Sequence, residues 1–415
     1  MNRRGVCYDV GSVMLVNWRP DFDPRVVHRE LQIIRDDLHC NAVHLSGRDL
    51  GRLEIAARDA LDQSLEVWLV PGLWDKGQDA TIAYMMQAAQ LAERLRSEFP
   101  DRLVFVMGGE LTIFMQGIMP GRDFMARMKH PSFWETVKAG GHNAPLNGFL
   151  RRAAAAVRPV YHGPLTYASL IWEAVDWDLF DIVGVDHYRG GPIKDRYVEM
   201  LEPLFATGKP VVITEFGTPS CERGDGALAT SLGDNADWRF LLLHALPLVG
   251  RFVRPRVTRV IPRDETLQAR ELSETLAIQD AAGVDGAFVS TFVYPIKPYD
   301  EDPRYDLDAA SPGLVRPLTG GRHGTTYPDM PWEPKAGFRA VAEFYGLDGQ
   351  TGQPPDAPEA GQTVESIGSA ATRPASRVSE PTSVVQCTDA TEARTSGGGV
   401  RKPLAGRVAR PAQGR

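Results

Sequence analysis

Short runs of apolar and β-branched residues alternate along this chain with longer stretches in which apolar residues recur every three or four positions. The first pattern is typical of buried β-strands, and the second is typical of amphipathic helices. The short runs predict eight strands, at residues 5–10, 41–45, 66–73, 103–107, 165–170, 181–185, 210–214 and 286–292.

The stretches between the strands carry helix signals. Asp23 and Pro24 predict a helix start, because Asp caps free backbone N–H groups and Pro fits the first turn. Val27, Leu31 and Ile34 then follow at helical spacing. Further amphipathic stripes lie at residues 80–99, 146–157, 265–282 and 334–345.

Alternating strands and helices predict an α/β fold, and eight strands favour a closed (β/α)8 barrel, the TIM barrel. An open doubly wound sheet would place a Gly-rich phosphate-binding turn after its first strand, and residues 9–13 lack that spacing. The connections at 110–146 and 216–264 are long. We therefore expect insertions after the fourth and seventh strands that form walls of the barrel mouth.

The composition changes abruptly after residue 346. From there to Arg415 the chain is rich in Pro, Gly, Ser, Thr and Ala, and it contains no Phe, Trp or Tyr. Such a segment buries too little apolar surface to offset the entropy lost on ordering it. We therefore predict a barrel domain over residues 1–346 and a disordered, low-complexity tail over residues 347–415.

Charge and composition narrow the classes of partner. A formal net charge of -7 argues against nucleic acid as a partner, because binding a phosphate backbone needs concentrated positive charge. The sequence has no apolar run of about 18 residues to span a membrane and no secretory signal at its start, so we expect a cytoplasmic protein. Four cysteines lie far apart without a Cys-x-x-Cys pair, which indicates free thiols.

Two glutamates stand where apolar strands end. Glu110 follows the fourth predicted strand, and Glu215 follows the seventh. Asp186, His187 and Tyr188 follow the sixth strand in the same way. In a barrel the C-terminal ends of the strands converge on one mouth, so we expect these side chains to lie near one another.

A Glu after the fourth strand, His-Tyr after the sixth and Thr-Glu-Phe-Gly at residues 214–217 resemble the clan of retaining β-glycosidases built on (β/α)8 barrels. The resemblance covers roughly residues 5–345. It implies that Glu110 is the general acid/base and Glu215 the nucleophile. It also implies a carbohydrate substrate with a β-glycosidic bond and no cofactor. Such chemistry requires two carboxyls about 5–5.5 Å apart.

Three positions depart from the pattern of that clan. Gly109 stands where the clan usually has an Asn that binds the 2-hydroxyl of the sugar. His44 stands in place of the Arg that supports the nucleophile, and Thr-Phe at residues 291–292 replaces the Trp that commonly forms the floor of the sugar site. The departures bear on the activity rather than on the fold.

Further side chains near the strand ends are candidates for binding the carbohydrate. Aromatic residues combine a large apolar face with a polar tip, which suits the mixed surface of a sugar. Imidazole and carboxylate groups add hydrogen bonds to hydroxyls. The candidates are His187, Tyr188, Trp172, Trp74, Asp9, His44 and Tyr294.

Two other functions fit the same residues. A metal-dependent barrel of the sugar-isomerase or endonuclease type would use Glu110, Asp186, His187 and Glu215 as ligands, because mixed carboxylate and imidazole sets suit divalent metals. A barrel that binds carbohydrate without turnover would suit the three departures. The opening of the chain is also similar to that of actinobacterial proteins labelled abortive-infection proteins, which would place any of these biochemistries in phage defence.

Overall fold

Eight parallel strands close into a barrel in the computed structural model, which describes residues 1–14, 16–221, 243, 246 and 256–350. The strands are β1 (Arg3–Asp9), β2 (Ala42–Gly47), β3 (Glu66–Pro71), β4 (Leu103–Gly109), β5 (Leu165–Leu170), β6 (Val183–Asp186), β7 (Val211–Phe216) and β8 (Gly286–Val289). Each pairs with its neighbours in sequence, and β8 pairs with β1 to close the ring. The predicted TIM barrel is confirmed.

Most of the predicted helices surround the barrel. The α-helices are α1 (Pro24–Asp36), α2 (Leu50–Asp62), α3 (Gln78–Glu98), α4 (Leu111–Phe114), α5 (Phe124–Met128), α6 (Phe133–Lys138), α7 (Asn143–Val157), α8 (Glu202–Phe205), α9 (Glu265–Ala282) and α10 (Ala336–Gln350). The predicted start of α1 is confirmed, since the Asp23 side chain accepts a hydrogen bond from the backbone N–H of Arg25. The outer layer after β5 and β6 consists of short helices, among them the 3-10 turns Trp177–Leu179, Gly191–Arg196 and Glu199–Leu201.

The C-terminal end of the barrel domain differs from the prediction. Helix α10 continues to Gln350, so the first residues assigned to the predicted tail are helical. The rest of that tail, residues 351–415, lies outside the described residues. Among the helices that the structure describes, none is both long and apolar enough to cross a lipid bilayer.

The core has two layers because successive side chains of a strand point to opposite faces. One set fills the inside of the barrel, where the rings of Trp68 and Phe288 pack 5.1 Å apart beside Cys7 and Val104. Gly5 makes room for this packing, because a Cβ there would collide with the Phe288 ring. The second and larger set lies between strands and helices. Cys7 and Cys40 are buried free thiols, as predicted, Cys221 is buried as well, and Cys387 lies outside the described residues.

The two predicted insertions differ in how much of them is described. The insertion after β4 is confirmed, and it contains α4, α5 and α6. An apolar cluster that includes Ile113, Phe124 and Phe133 holds these short helices together over the barrel mouth. Residues 222–242, 244–245 and 247–255 of the insertion after β7 lie outside the described residues.

Candidate active site

An irregular end of β4 places Glu110 at the mouth. The register between β4 and β5 shifts between Val106 and Gly109, and Gly108 has a φ of 85°. Glu110 itself adopts the left-handed conformation, with a φ of 50°, immediately before α4. Such a conformation is unfavourable for a residue with a Cβ and persists where surrounding contacts impose it. Bulges of this kind redirect side chains at barrel rims.

Glu173 fixes the turn that follows Glu110. Its carboxylate accepts hydrogen bonds from the backbone N–H groups of Leu170 (2.9 Å) and Thr112 (3.3 Å). The Tyr167 hydroxyl donates to the same carboxylate (2.9 Å) and accepts from the N–H of Leu111 (2.8 Å). Burial raises the pKa of Glu173 to about 7 in spite of these donors. Glu173 stands three residues after the end of β5, and sequence reasoning did not assign it this positioning role.

Glu215 lies near the end of β7, with two hydroxyl donors beside it. The Tyr188 hydroxyl donates a hydrogen bond to Oε2 of Glu215 over 2.9 Å, and Ser290 is a second partner. Burial raises the pKa of Glu215, the two hydroxyls oppose that shift, and the nearby Asp9 carboxylate adds to it. A hydroxyl that donates to a carboxylate stabilises its charged form.

Glu110 and Glu215 interact electrostatically but have different surroundings. Burial holds the pKa of Glu110 well above its usual range, and the negative charges of Glu215 and Glu173 raise it further. Both side chains are half-buried, yet among the described residues only Glu215 of the two has hydrogen-bond donors that stabilise its anion. Of two coupled carboxyls, the one with such donors loses its proton first. The pair can therefore hold a neutral Glu110 next to a charged Glu215.

Asp186, at the end of β6, is a third acid in the same group. It accepts a hydrogen bond from the Thr214 hydroxyl over 2.6 Å. Burial raises the pKa of Asp186 well above its usual range, and the charges of Glu215 and Glu110 add to the shift. Within the described ranges, no Lys or Arg is a cause of the pKa shifts of these three acids.

A continuous row of aromatic rings, here called the aromatic row, crosses the mouth beside Glu215. Phe114 stacks on Trp74 with ring centroids 5.0 Å apart, Trp74 meets Trp18 at 5.1 Å, and Trp18 meets Tyr294 at 5.1 Å. Burial and the charges of Asp9 and Glu215 raise the pKa of Tyr294 well above its usual range, so this end of the row lies close to the acids. All four rings are half-buried.

The structure thus brings the predicted Trp74 and Tyr294 together and adds two residues that sequence reasoning missed. Trp18 lies on a short hairpin region after β1, close to the strand pair Val13–Met14 and Val16–Asn17. A Trp between Asn17 and Arg19, in the connection after the first strand, was the signal that could have found it. Phe114 was harder to find, since its apolar neighbours Leu111 and Ile113 are buried helix residues.

Trp172 belongs to the wall formed by the insertion after β4. Its ring contacts His142 edge-on, with centroids 5.0 Å apart, and Phe133 at 6.2 Å. Trp134, next to Phe133, is 55% exposed. Trp172 is half-buried, so part of its surface is exposed.

Asp9 has a defined local role. Its carboxylate accepts hydrogen bonds from the backbone N–H groups of Gly11 (2.8 Å) and Ser12 (2.9 Å) and from the Ser46 hydroxyl (3.1 Å). These bonds hold the turn after β1. Asp9 is also close enough to Glu215 to raise the pKa of that carboxyl.

His187 is turned away from the acids. Its ring stacks on Tyr197 with centroids 3.9 Å apart, and its Nε2 lies 2.9 Å from the Tyr197 carbonyl oxygen. The side chain is fully buried, which lowers its pKa to about 4 and keeps it neutral. The structure therefore places His187 in packing against the outer layer, away from Glu110, Asp186 and Glu215.

His44 lies inside the barrel, with its ring centroid 5.6 Å from that of Phe288. Burial lowers its pKa to about 3. Neither ring nitrogen has a hydrogen-bond partner among the described residues, so His44 does not hydrogen-bond Glu215 as an Arg at this position would. One cluster in the described part of the chain has the side-chain types and spacing for a metal ion, and it consists of Cys7, His44 and Glu215. It shares only Glu215 with the predicted ligand set.

Comparison with solved structures shows known proteins that share this fold. A GH113 beta-mannanase from Alicyclobacillus acidocaldarius is 17% identical, with 83% of this chain and 97% of that chain covered and a TM-score of 0.50. A second GH113 beta-1,4-mannanase is 15% identical, with 83% and 99% covered and a TM-score of 0.50. Both of these enzymes share the (β/α)8 barrel fold with this chain. At these identities the likeness shows a shared fold and nothing finer.

A beta-glucuronidase from Ruminococcus gnavus is 14% identical, with 83% of this chain and 50% of that chain covered and a TM-score of 0.46. No protein-family model matches this chain, and no curated protein does.

Proposed function

We propose that this protein hydrolyses β-glycosides with retention of configuration, with Glu215 as the nucleophile and Glu110 as the general acid/base. The observation that carries the proposal is the pair of interacting carboxyls at the barrel mouth with unlike surroundings. Glu215 has two hydroxyl donors that favour its anion, whereas burial and neighbouring charges favour neutral Glu110. A nucleophile and an acid need these two states at the same pH.

The reaction follows from these states. A carboxylate oxygen of Glu215 attacks the anomeric carbon while the carboxylic acid of Glu110 gives its proton to the departing oxygen. Water then attacks the glycosyl ester on Glu215 and gives a proton to Glu110, which restores both groups. Tyr188 holds Oε2 of Glu215 in place, so that Oε1 is left for the attack.

Asp186 supports the proposal at the position where an Asn was expected. A Cβ on Gly109 would lie 3.9 Å from Oδ2 of Asp186, so this carboxyl occupies the space next to the missing side chain. Its raised pKa favours a neutral carboxyl that can donate a hydrogen bond. We assign to Asp186 the contact with the 2-hydroxyl of the sugar.

The aromatic row supports a carbohydrate rather than a charged or small substrate. Its half-buried rings offer apolar faces next to Glu215, and the half-buried Trp172 packs against the same apolar cluster as Trp18, Trp74 and Phe114. Because the mannanases share the fold over nearly their whole length, a β-mannoside belongs among the first substrates to test.

The test is hydrolysis of a panel of aryl β-glycosides by the full chain, with mannoside, glucoside, galactoside, xyloside and glucuronide members. We expect turnover of at least one member and losses of about 100-fold or more in Glu110→Ala and Glu215→Ala. Azide should rescue Glu215→Ala with formation of the α-glycosyl azide, and should rescue Glu110→Ala with formation of the β-glycosyl azide. Glu202→Ala, a change of an exposed acid on α8, is the matched control and should keep full activity.

Two results would contradict the proposal. Full activity in folded Glu215→Ala would remove the nucleophile from the mechanism. Absence of turnover across the panel, together with binding of the same glycosides, would favour the carbohydrate-binding barrel, for which Gly109 and His44 are the supporting departures.

A further inference from the structure

The imidazole of His44 lacks the contacts that a buried polar ring requires. The residue is 2% exposed, and both Nδ1 and Nε2 have no hydrogen-bond partner within residues 1–14, 16–221 and 256–350. Leaving one buried polar atom unsatisfied costs about 1–3 kcal/mol, and nearly all such atoms in folded proteins have a protein, water or ion partner. The imidazole of His44 is therefore available to bind a water molecule or a metal ion.

Two side chains face His44 from other strands. Cys7 on β1 and His44 on β2 are directly paired neighbours in the sheet, so their side chains project on the same, inner face. Glu215 of β7 completes the group from across the interior, and Sγ of Cys7 lies 3.4 Å from the carbonyl oxygen of Thr214, the residue before it. One ligand atom from each of Cys7, His44 and Glu215 lies within 4.8 Å of the other two.

We propose that Cys7, His44 and Glu215 form a Zn²⁺ site inside the barrel, directly below the mouth, and that Zn²⁺ bound there blocks glycoside hydrolysis. Thiolate sulfur, imidazole nitrogen and carboxylate oxygen are the three ligand types that Zn²⁺ takes in proteins. Three protein ligands leave a fourth position of the tetrahedron for water on the side of the mouth.

Charge balance favours a divalent ion. A thiolate and a carboxylate together carry two negative charges, which neutralise one divalent cation. That matters here because the surroundings are apolar, with Trp68, Val70 and Phe288 in the same inner cluster as Cys7. A buried ion is tolerated only when its charge is compensated. On binding, the Cys7 thiol gives its proton to the solvent and Sγ forms the bond to zinc, so no redox partner is needed.

The spacing allows the bonds with small movements. Zinc–ligand bonds of about 2.0–2.3 Å place the atoms of a tetrahedron about 3.3–3.8 Å apart. The observed limit of 4.8 Å requires rotations of the side chains by about 1 Å and no movement of the strands. Glu215 is half-buried whereas Cys7 and His44 are buried, so the ion enters from the mouth past Glu215.

Inhibition follows from the identity of the third ligand and rests on the proposed function. A Glu215 carboxylate that is bound to Zn²⁺ cannot attack the anomeric carbon. The chain would then hydrolyse glycosides when the site is empty of metal and stop when zinc is bound. The binding of zinc itself does not depend on any catalytic role.

The test of the site measures metal binding without substrate. The full chain is treated with EDTA, desalted and titrated with Co²⁺ and then with Zn²⁺. We expect about one ion per chain, a Co²⁺ spectrum with the intense d–d bands of a tetrahedral site and a sulfur-to-cobalt charge-transfer band, and loss of that band when Zn²⁺ displaces Co²⁺. Cys7→Ala and His44→Phe should each weaken Zn²⁺ binding by about 100-fold or more, because loss of a direct ligand exceeds the usual effect of a supporting residue.

Cys40→Ala is the matched control, since Cys40 is also a buried free thiol but lies outside the cluster. It should bind Co²⁺ and Zn²⁺ as the unchanged chain does. If His44→Phe fails to fold, as judged by circular dichroism, the more conservative Cys7→Ser provides the same comparison. Zinc binding that is equal in the unchanged chain and in folded Cys7→Ala or Cys7→Ser would overturn the proposal, as would a Co²⁺ spectrum without a thiolate band.

The inhibition is measured separately and distinguishes this proposal from the proposed function. Active, metal-free protein that binds zinc and loses turnover, with turnover restored by EDTA, supports both. Turnover without zinc binding overturns the site and leaves the glycosidase intact. Zinc binding with turnover that requires the ion overturns the inhibitory role and also the assignment of Glu215 as nucleophile.

Discussion

Two groups of buried acids in this molecule differ in what surrounds them. In the first, here called the paired cluster, Asp306 and Asp308 lie against Arg263 and Lys335. In the second, here called the mouth cluster, Glu110, Asp186 and Glu215 have one another as their main charged neighbours. Asp186 of the mouth cluster is as buried as Asp306 and Asp308, so burial alone does not distinguish the two groups.

The paired cluster holds elements together. Nζ of Lys335 lies 2.8 Å from Oδ2 of Asp308, and both side chains are 0% exposed. Arg263 contacts Asp306 at 2.8 Å and Asp308 at 3.0 Å, and it forms an isolated bridge with Cys221 across the base of the insertion after β7. These contacts join both ends of that insertion to the segment before α10.

The charged neighbours of the two clusters show which acids stabilise the fold. Cations compensate the charge of the paired cluster, which makes its acids part of the framework. The mouth cluster has raised pKa values from burial and mutual repulsion, an arrangement that costs stability and is found at sites of chemistry. Breaking each cluster should therefore change stability in opposite directions.

The largest loss of stability is expected when a cation of the paired cluster is removed. Lys335→Ala leaves Asp308 fully buried and short of a counter-charge, and should lower the free energy of unfolding by about 3–5 kcal/mol. Urea unfolding at neutral pH measures it. Lys194→Ala is the control, because Lys194 is 43% exposed and pairs with Glu271 at 3.2 Å, so its loss should cost less than about 1 kcal/mol. Equal losses in the two variants would contradict the role of the paired cluster.

The second expected effect is a pH dependence of stability that arises from Glu173, which lies beside the mouth cluster. The pKa of Glu173 is about 7 in the folded protein and 4.5 as a free side chain. Below pH 4.5 the carboxyl is protonated in both states. Between pH 4.5 and 7 only the folded state keeps the proton, so rising pH should remove about 3 kcal/mol of stability.

Glu173→Gln should remove this dependence. The difference in unfolding free energy between the variant and the unchanged chain should grow in favour of the variant from pH 5 to pH 8, as measured by urea unfolding at each pH. Glu202→Gln, a change of an exposed acid, should show no such trend. A difference that stays constant with pH would show that the Glu173 carboxyl is as acidic in the folded protein as in the unfolded chain.

The third change, in the mouth cluster, should raise the free energy of unfolding, whereas the change in the paired cluster lowers it. Asp186→Asn removes an acid that burial and two negative neighbours disfavour, and the new amide can still accept from the Thr214 hydroxyl. We expect the variant to be more stable by about 2 kcal/mol at pH 8, with the gain shrinking towards pH 4, where the carboxyl of the unchanged chain is neutral. A loss of stability at pH 8 would mean that the Asp186 charge is compensated.

The smallest effect concerns Tyr188, one of the two hydroxyl donors to Glu215. Tyr188→Phe removes the hydroxyl that donates to Oε2 of Glu215, so the pKa of Glu215 should rise. If Glu215 is the nucleophile, the acidic limb of kcat/KM should move up by about one pH unit, which corresponds to about 1.4 kcal/mol. A pH–rate profile measures it, and an unmoved acidic limb in a folded variant would contradict the assignment.

Much of the fold was predictable because it depends on local patterns. Apolar runs and helical stripes gave eight strands and the helices α1, α3, α7, α9 and α10, and the number of strands selected the barrel. Glu110 and Glu215 were predictable as mouth residues for the same reason, since each interrupts an apolar run at the end of a strand. A parallel barrel collects all such strand ends at one face whatever their separation along the chain.

Side-chain directions and partners were decided only by the tertiary structure. His187 and Tyr188 are adjacent in sequence, yet one stacks on Tyr197 and the other donates to Glu215. Trp18 joins Trp74 because two connections fold over the same mouth. Nothing local predicts such contacts.

The interactions between charged side chains were likewise decided only by the tertiary structure. The sequence determined where the acids of the two clusters stand along the chain, as the ends of apolar strands or as residues of polar connections. Which acids meet cations, which meet one another, and which lie next to a thiol and an imidazole depends on residues that are distant in sequence. Burial then determines how strongly these contacts change stability and pKa, because removing water strengthens every interaction between charges and makes each unpaired polar group costly.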